Sequence, residues 1–492
     1  MNSPTRALTL TLLTITLTTL TITPSFAAPA EQTPRPPASA GPRDDFNGDG
    51  YEDLAVGVPG AEVGGGANAG LVSVVYGSAS GLRTSSKQIL RQGADGVPGT
   101  PTAYGSFGVA LASADLDRDG YADLVAVSRQ RDPLPGEDVA RGITVMWGGP
   151  KGLARGATPA TALKGGAYSV ATGDFDGDGR QDLTVGEDSG RLRVLHGPFG
   201  ADGSPARESV TEPTEGNPDR QLIEVKSGDV DKDGVTDLVG LYSWNDDSYW
   251  SPELIFWKGT ATGLAPYRHL TDHRRNQMIG HTLDVGDVNG DGFADIAVGL
   301  RSKGDLNQPD IPEGGQVTYI PGSAKGPLGA RTRVFHLDSP KVPGSPKDSF
   351  GFGASVAVGD LDGDRYGDIT VGVTGMTVGG REKAGSVIIL RGTASGPTSA
   401  DSREFHQNTK GVPGTAEKDD AFGSRTKTLD ANGDGRDDLV VGAPGENTSV
   451  GAVWVFGSDR SGATAKGSSV QGPKLLGLPI SEGMSFGRVF TG

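Results

Sequence analysis

The sequence predicts an all-β protein: a seven-bladed β-propeller of four-stranded antiparallel blades, its ring closed by the C-terminal strand. Three observations carry this expectation. An acidic turn motif recurs seven times at blade-sized intervals. The flanking segments alternate apolar and polar residues with period two and are punctuated by glycine. A strand motif that precedes several turns is missing before the first and stands, with no turn after it, at the end of the chain.

The turns are DFNGDGYEDL from Asp45, DLDRDGYADL from Asp115, DFDGDGRQDL from Asp174, DVDKDGVTDL from Asp229, DVNGDGFADI from Asp287, DLDGDRYGDI from Asp360 and DANGDGRDDL from Asp430. Their first aspartates are 70, 59, 55, 58, 73 and 70 residues apart. The unit of residues 105–148 shows the plan: SFGVALASA reads as a strand, DLDRDGYAD as a turn, LVAVS as a second strand and, after a variable loop, GITVMWG as a third. A shorter fourth strand is expected near ATALKG, residues 160–165. Four strands per repeat, seven times over, is the pattern of a propeller. The 79 glycines, without a collagen period, agree with many tight turns.

Phe-Gly pairs stand eight residues before three first aspartates, at Phe107-Gly108, Phe352-Gly353 and Phe422-Gly423, and Ile279-Gly280 is a variant. The first turn has none, whereas the chain ends in MSFGRVFTG with Phe486-Gly487. The C-terminal strand, residues 485–490, is therefore expected to complete the first blade and protect its sheet edge.

In the pattern D-x-[DN]-x-D-G-x-x-D, side-chain oxygens at positions 1, 3, 5 and 9 and the carbonyl at position 7 can converge on one ion. The predicted ligands are Asp45, Asn47, Asp49, Tyr51 and Asp53; Asp115, Asp117, Asp119, Tyr121 and Asp123; Asp174, Asp176, Asp178, Arg180 and Asp182; Asp229, Asp231, Asp233, Val235 and Asp237; Asp287, Asn289, Asp291, Phe293 and Asp295; Asp360, Asp362, Asp364, Tyr366 and Asp368; and Asp430, Asn432, Asp434, Arg436 and Asp438. Hard oxygen donors without His or Cys select Ca2+ over zinc, and up to seven ions are expected. Seven clusters of unneutralised carboxylates would otherwise repel themselves. The sixth turn has Arg365 where the others have glycine. Because arginine tolerates positive φ poorly, this is expected to be the weakest site.

The units FGVALASADLDRDGYADLVAVS and FGASVAVGDLDGDRYGDITVGV resemble the FG-GAP repeat, and Gly442-Ala443-Pro444 matches its second element. The resemblance runs from about Asp44 to Gly492. It is similar to the seven-bladed N-terminal propeller of integrin α subunits and to exported bacterial FG-GAP/VCBS-type proteins, and implies a Ca2+-binding propeller. Blades 3 and 4 lack both FG and GAP and rest on the turn motif alone.

Residues 1–27 read as a signal peptide ending in Ser25-Phe26-Ala27, residues 28–43 as a Pro/Ala-rich linker and residues 44–492 as the propeller. A secreted, extracellular chain without cysteine must hold together by packing or by metals. The net charge of −16 becomes −17 without residues 1–27, whose only charged side chain is Arg6; seven Ca2+ would bring it to about −3. Such acidity argues against a nucleic-acid partner. No later segment could span a bilayer, and a monomer is expected.

The turns decorate one face, so ligand binding is expected on the other. Long VPG-type rims there join blades 1–2, 5–6, 6–7 and 7–1, and LYSWNDDSYWSP (residues 241–252) offers Tyr242, Trp244, Tyr249 and Trp250 as an aromatic loop. No catalytic constellation emerges: Gly483-Met-Ser485-Phe-Gly487 lacks the strand–helix context of a nucleophile elbow, and His269/His273 lack a helical frame. A protein- or glycan-binding module is the expected function. The alternative is a polysaccharide-active lyase or hydrolase, which a Tyr/His/Arg or paired-carboxylate pocket in the central channel would favour.

Overall fold

A computed structural model describes Met1 and residues 43–129, 141–161, 163, 166–187, 190–211, 220–244, 252–302, 311–344 and 351–492. The predicted signal peptide and nearly all of the linker lie outside these residues. The described residues from Arg43 to Gly492 form one compact unit of seven four-stranded antiparallel sheets with almost no helix.

The second strand of each blade follows directly from the turn: Leu54–Val58, Asp123–Arg129, Asp182–Glu187, Asp237–Trp244, Asp295–Leu300, Asp368–Val373 and Asp438–Ala443. Five of the seven are buried along their whole length. They are short continuous apolar runs because each is covered on both faces by neighbouring sheets. The first strands, among them Leu111–Ala114, Ala167–Gly173, Arg220–Gly228, Thr282–Gly286, Phe352–Gly359 and Arg425–Leu429, run into the turns. In blade 1 this place is taken by Val489–Phe490 from the C-terminus, with Val56 opposite Phe490 and Gly57 opposite Val489. The ring therefore closes as the missing strand predicts. In blade 2 the fourth strand is Arg155–Ala157, earlier than the alternation suggested. Three residues, held by the Gly156 N–H on the Gly96 carbonyl at 2.9 Å, carry no readable period.

The FG and GAP elements are two halves of one contact between blades. A Cβ on Gly57 would lie 2.0 Å from the Gly108 carbonyl oxygen, on Gly299 2.3 Å from that of Gly353, on Gly372 1.9 Å from that of Gly423, and on Gly442 1.9 Å from that of Gly487. Each preceding phenylalanine, Phe107, Phe352, Phe422 or Phe486, is fully buried. Gly442→Ala should cost about 1–3 kcal/mol or more, because backbone must move to admit one methyl. Gly149→Ala, whose Cβ would have only one neighbour, at 4.0 Å, should leave the denaturation midpoint unchanged and serves as the control.

Candidate metal sites and central channel

The seven turns share one hydrogen-bond pattern. The carboxylate at position 1 accepts the N–H of position 6 in every blade, at 2.8–3.1 Å. Oδ1 at position 5 accepts the N–H of position 7 in every blade, at 2.9–3.2 Å. Position 9 is buried throughout. In blades 1 to 5 its Oδ2 accepts the position 2 N–H at 2.8–3.1 Å, and in all seven its Oδ1 accepts an N–H from the end of the third strand, as Gly77 to Asp53 at 2.8 Å. Backbone amides thus hold the acids together, and no backbone amide bonds Oδ2 of the position 5 aspartates.

The turns are also chained. The N–H of position 8 donates to the position 1 carbonyl of the preceding blade at six of the seven junctions: Ala122 to Asp45, Thr236 to Asp174, Ala294 to Asp229, Gly367 to Asp287, Asp437 to Asp360 and, across the closure, Glu52 to Asp430. Arg365 does adopt the left-handed conformation its place demands, with φ of 73°. Position 4 demands it as well, and Arg118 (64°) and Lys232 (57°) supply it where other blades have glycine. The sequence pattern does not reveal this second constraint.

Carboxylate oxygens of Asp115, Asp117 and Asp123 lie within 4.8 Å of one another, as do those of Asp174, Asp176 and Asp178, of Asp229, Asp231 and Asp237, and of Asp360, Asp362 and Asp364. Clusters of three or four acids with only hard oxygen donors are compatible with a divalent cation. Three turns, however, receive a basic group that sequence reading missed. The Lys258 ammonium bonds Oδ2 of both Asp231 and Asp233. The Arg391 guanidinium bonds Oδ2 of Asp362 at 2.5 Å and of Asp364 at 2.9 Å. His196 Nδ1 lies 3.3 Å from Oδ2 of both Asp176 and Asp182, and Arg207 lies 2.5 Å from Asp176. The readable signal is the residue just before the glycine that ends the third strand: HG, KG and RG here, YG, WG and PG in blades 1, 2 and 5.

Burial pushes the position 9 acids up: Asp53 and Asp123 to about 8, Asp237, Asp368 and Asp438 to about 7, and Asp295 to about 6. Neighbouring acids of the same turn add to the rise. The metal-free folded protein therefore holds protons that the unfolded chain, titrating near 4, releases. Their contribution to stability is complete below about pH 4 and is lost as pH rises through 6 to 8. Metal-free protein is expected to melt higher at pH 5.5 than at pH 8.5 by calorimetry. With Ca2+ the order should reverse, because ligation requires the ionised acids.

Residues of the first strands, with loops at their ends away from the turns, line an open cavity of about 520 Å³. Tyr104, Tyr168, Glu224, His281, Arg425 and Arg488 line it. Arg425 pairs with Glu224 at 3.0 Å, and Glu224 also accepts the Leu283 N–H at 3.2 Å. The Arg129 guanidinium stacks 3.4 Å over the Tyr168 ring. Burial, with Arg301 nearby, lowers the His281 pKa to about 4, so its imidazole is neutral at physiological pH. The sequence reading named none of these residues, which come from six places along the chain. Of the predicted aromatic loop, Tyr242 is core: it is 1% exposed and its hydroxyl donates to the Gly190 carbonyl at 3.2 Å. Tyr249 and Trp250 lie outside the described residues. Ser485 donates its hydroxyl to the Gly483 carbonyl at 3.2 Å and meets no histidine among the described residues.

The FG-GAP repeat model matches residues 37–75, 279–299, 352–390 and 422–456, and a related FG-GAP-like repeat model matches residues 115–185. The chain is 31% identical to integrin alpha-PS2 of Drosophila melanogaster over 42% of its own length and 15% of the relative's. It is 26% identical to integrin alpha-5 of Xenopus laevis over 58% and 20%, and 30% identical to phosphatidylinositol-glycan-specific phospholipase D of Rattus norvegicus over 29% and 17%. The matched segments thus span a fifth or less of these relatives. Among the described residues no helix is long and apolar enough to cross a membrane. The repeats, the integrin α relatives and the seven four-stranded blades together make the chain an integrin-like FG-GAP propeller.

Proposed function

We propose that this protein is a secreted, Ca2+-stabilised ligand-binding propeller, exported by residues 1–27, that takes a protein or glycan ligand at the channel mouth opposite the turns. The observation that carries the reading is the cavity of about 520 Å³ with its aromatic and charged rim. On an acidic chain, Arg425 and Arg488 with Tyr104 and Tyr168 offer a basic and aromatic surface that suits an acidic sugar or a carboxylate-bearing peptide. A glycan array and an acidic-peptide array probed with the mature protein test this. Binding that Arg488→Ala and Tyr104→Ala weaken at least tenfold supports it; binding unaffected by both variants sinks it.

One observation favours a second reading. Tyr168, neutral His281 and Arg425 share the channel, the residue types that a polysaccharide lyase or hydrolase would use for proton transfer and carboxylate neutralisation. Release of reducing or unsaturated ends from a polysaccharide panel, lost in Tyr168→Phe, separates enzyme from binder.

A further inference from the structure

We propose that blades 3, 4 and 6 carry a built-in cation and bind no metal, so that the chain takes four Ca2+, in blades 1, 2, 5 and 7. This rests on the calcium reading above and divides its seven sites.

The argument begins with register. The residue that follows the strand-3 partner of position 10 is Tyr76 in blade 1, Trp147 in blade 2, His196 in blade 3, Lys258 in blade 4, Pro321 in blade 5, Arg391 in blade 6 and Gly457 in blade 7. This one place faces the turn, and in three blades it holds a basic residue. In blades 4 and 6 the basic group bridges the Oδ2 atoms of positions 3 and 5, which accept no backbone amide. In blade 3 the His196 ring lies against Asp176 and Asp182, and the Arg207 guanidinium, 2.5 Å from Asp176, supplies the charge. In blade 7, Arg436 reaches Asp434 alone, from position 7 within the turn itself.

Charge follows the same division. Blades 1, 5 and 7 have the neutral Asn47, Asn289 and Asn432 at position 3 and no basic residue at the facing place. Blades 3, 4 and 6 have the extra carboxylate, Asp176, Asp231 or Asp362, and that carboxylate is the one that Arg207, Lys258 or Arg391 bonds. The added acid and the added base are thus a matched pair. A dication entering between them would have to displace the bonded cation or sit against it. Blade 2 has Asp117 at position 3, and among the described residues no basic side chain is ion-paired with its turn. With four carboxylates and no basic side chain ion-paired to them it should bind most tightly, since ligand charge sets affinity in such loops.

Equilibrium dialysis of the metal-stripped full chain against CaCl2, with bound metal counted by atomic emission, tests this. Four ions per chain is the expected result, and five or more overturns the inference. A count of zero instead overturns the calcium reading on which it rests. Lys258→Met and Arg391→Met, each checked for a native circular-dichroism spectrum, should each raise the count by one. A folded variant that stays at four overturns the competition argument. The wild-type count stands as a test even if neither variant folds.

Discussion

Removing Ca2+ with excess EDTA at neutral pH will lower the melting temperature by on the order of 10 °C. Each site filled at about 100 times its Kd adds about 2.7 kcal/mol, and four add about 11 kcal/mol. For a unit of this size, with an unfolding entropy of about 2.1 cal/mol/K per residue, 1 kcal/mol is worth about 1 °C. The loss should be cooperative. The turns are joined by position 8 to position 1 hydrogen bonds around nearly the whole ring, so a turn that splays under its own repulsion also loosens the next blade. Differential scanning calorimetry with and without EDTA, then with Ca2+ restored, checks this. A melting curve that EDTA leaves unchanged would remove the structural role of the metal.

Deleting residues 485–492 will make the protein associate and melt at least 10 °C lower. The deletion removes Phe486 and Phe490, both fully or almost fully buried in the cluster joining blades 7 and 1. Losing a buried phenylalanine alone costs about 3–5 kcal/mol. It also strips the inner edge of blade 1, exposing the unpaired backbone of Leu54–Val58. Thr491 is lost as well; its hydroxyl donates to buried Asp44 at 3.1 Å, the carboxylate that also holds Lys427 at 2.7 Å. Size-exclusion chromatography and calorimetry of the truncated chain read both effects. Phe486→Ala isolates the packing share, and a truncated chain that melts like the full one would show that the closing strand contributes nothing.

The turns were legible because all their determinants lie within nine residues. Aspartates at positions 1, 5 and 9 accept amides no more than seven residues away, apart from the one at the end of the third strand. Ring closure was legible for a different reason: Phe486-Gly487 is a strand motif without a turn, and Asp45 is a turn without a strand. The fourth strand of blade 2 was misplaced because a three-residue edge strand leaves no periodicity. Tyr242 reads as a loop aromatic but is core, since its strand runs on to Trp244 and Tyr267 stands 6.4 Å away, ring to ring.

By itself, then, the sequence determined the blade count, the acidic turns and the strand that closes the ring, because each is written in local spacing or in one unmatched motif. Only the tertiary structure decided which turns already hold a cation. Lys258 and Arg391 reach carboxylates 25 to 29 residues distant by crossing a hairpin. Only the tertiary structure, too, assembled the channel from Tyr168, His281 and Arg425. Those residues meet because seven blades turn their first strands toward one axis, a relation that no single repeat contains.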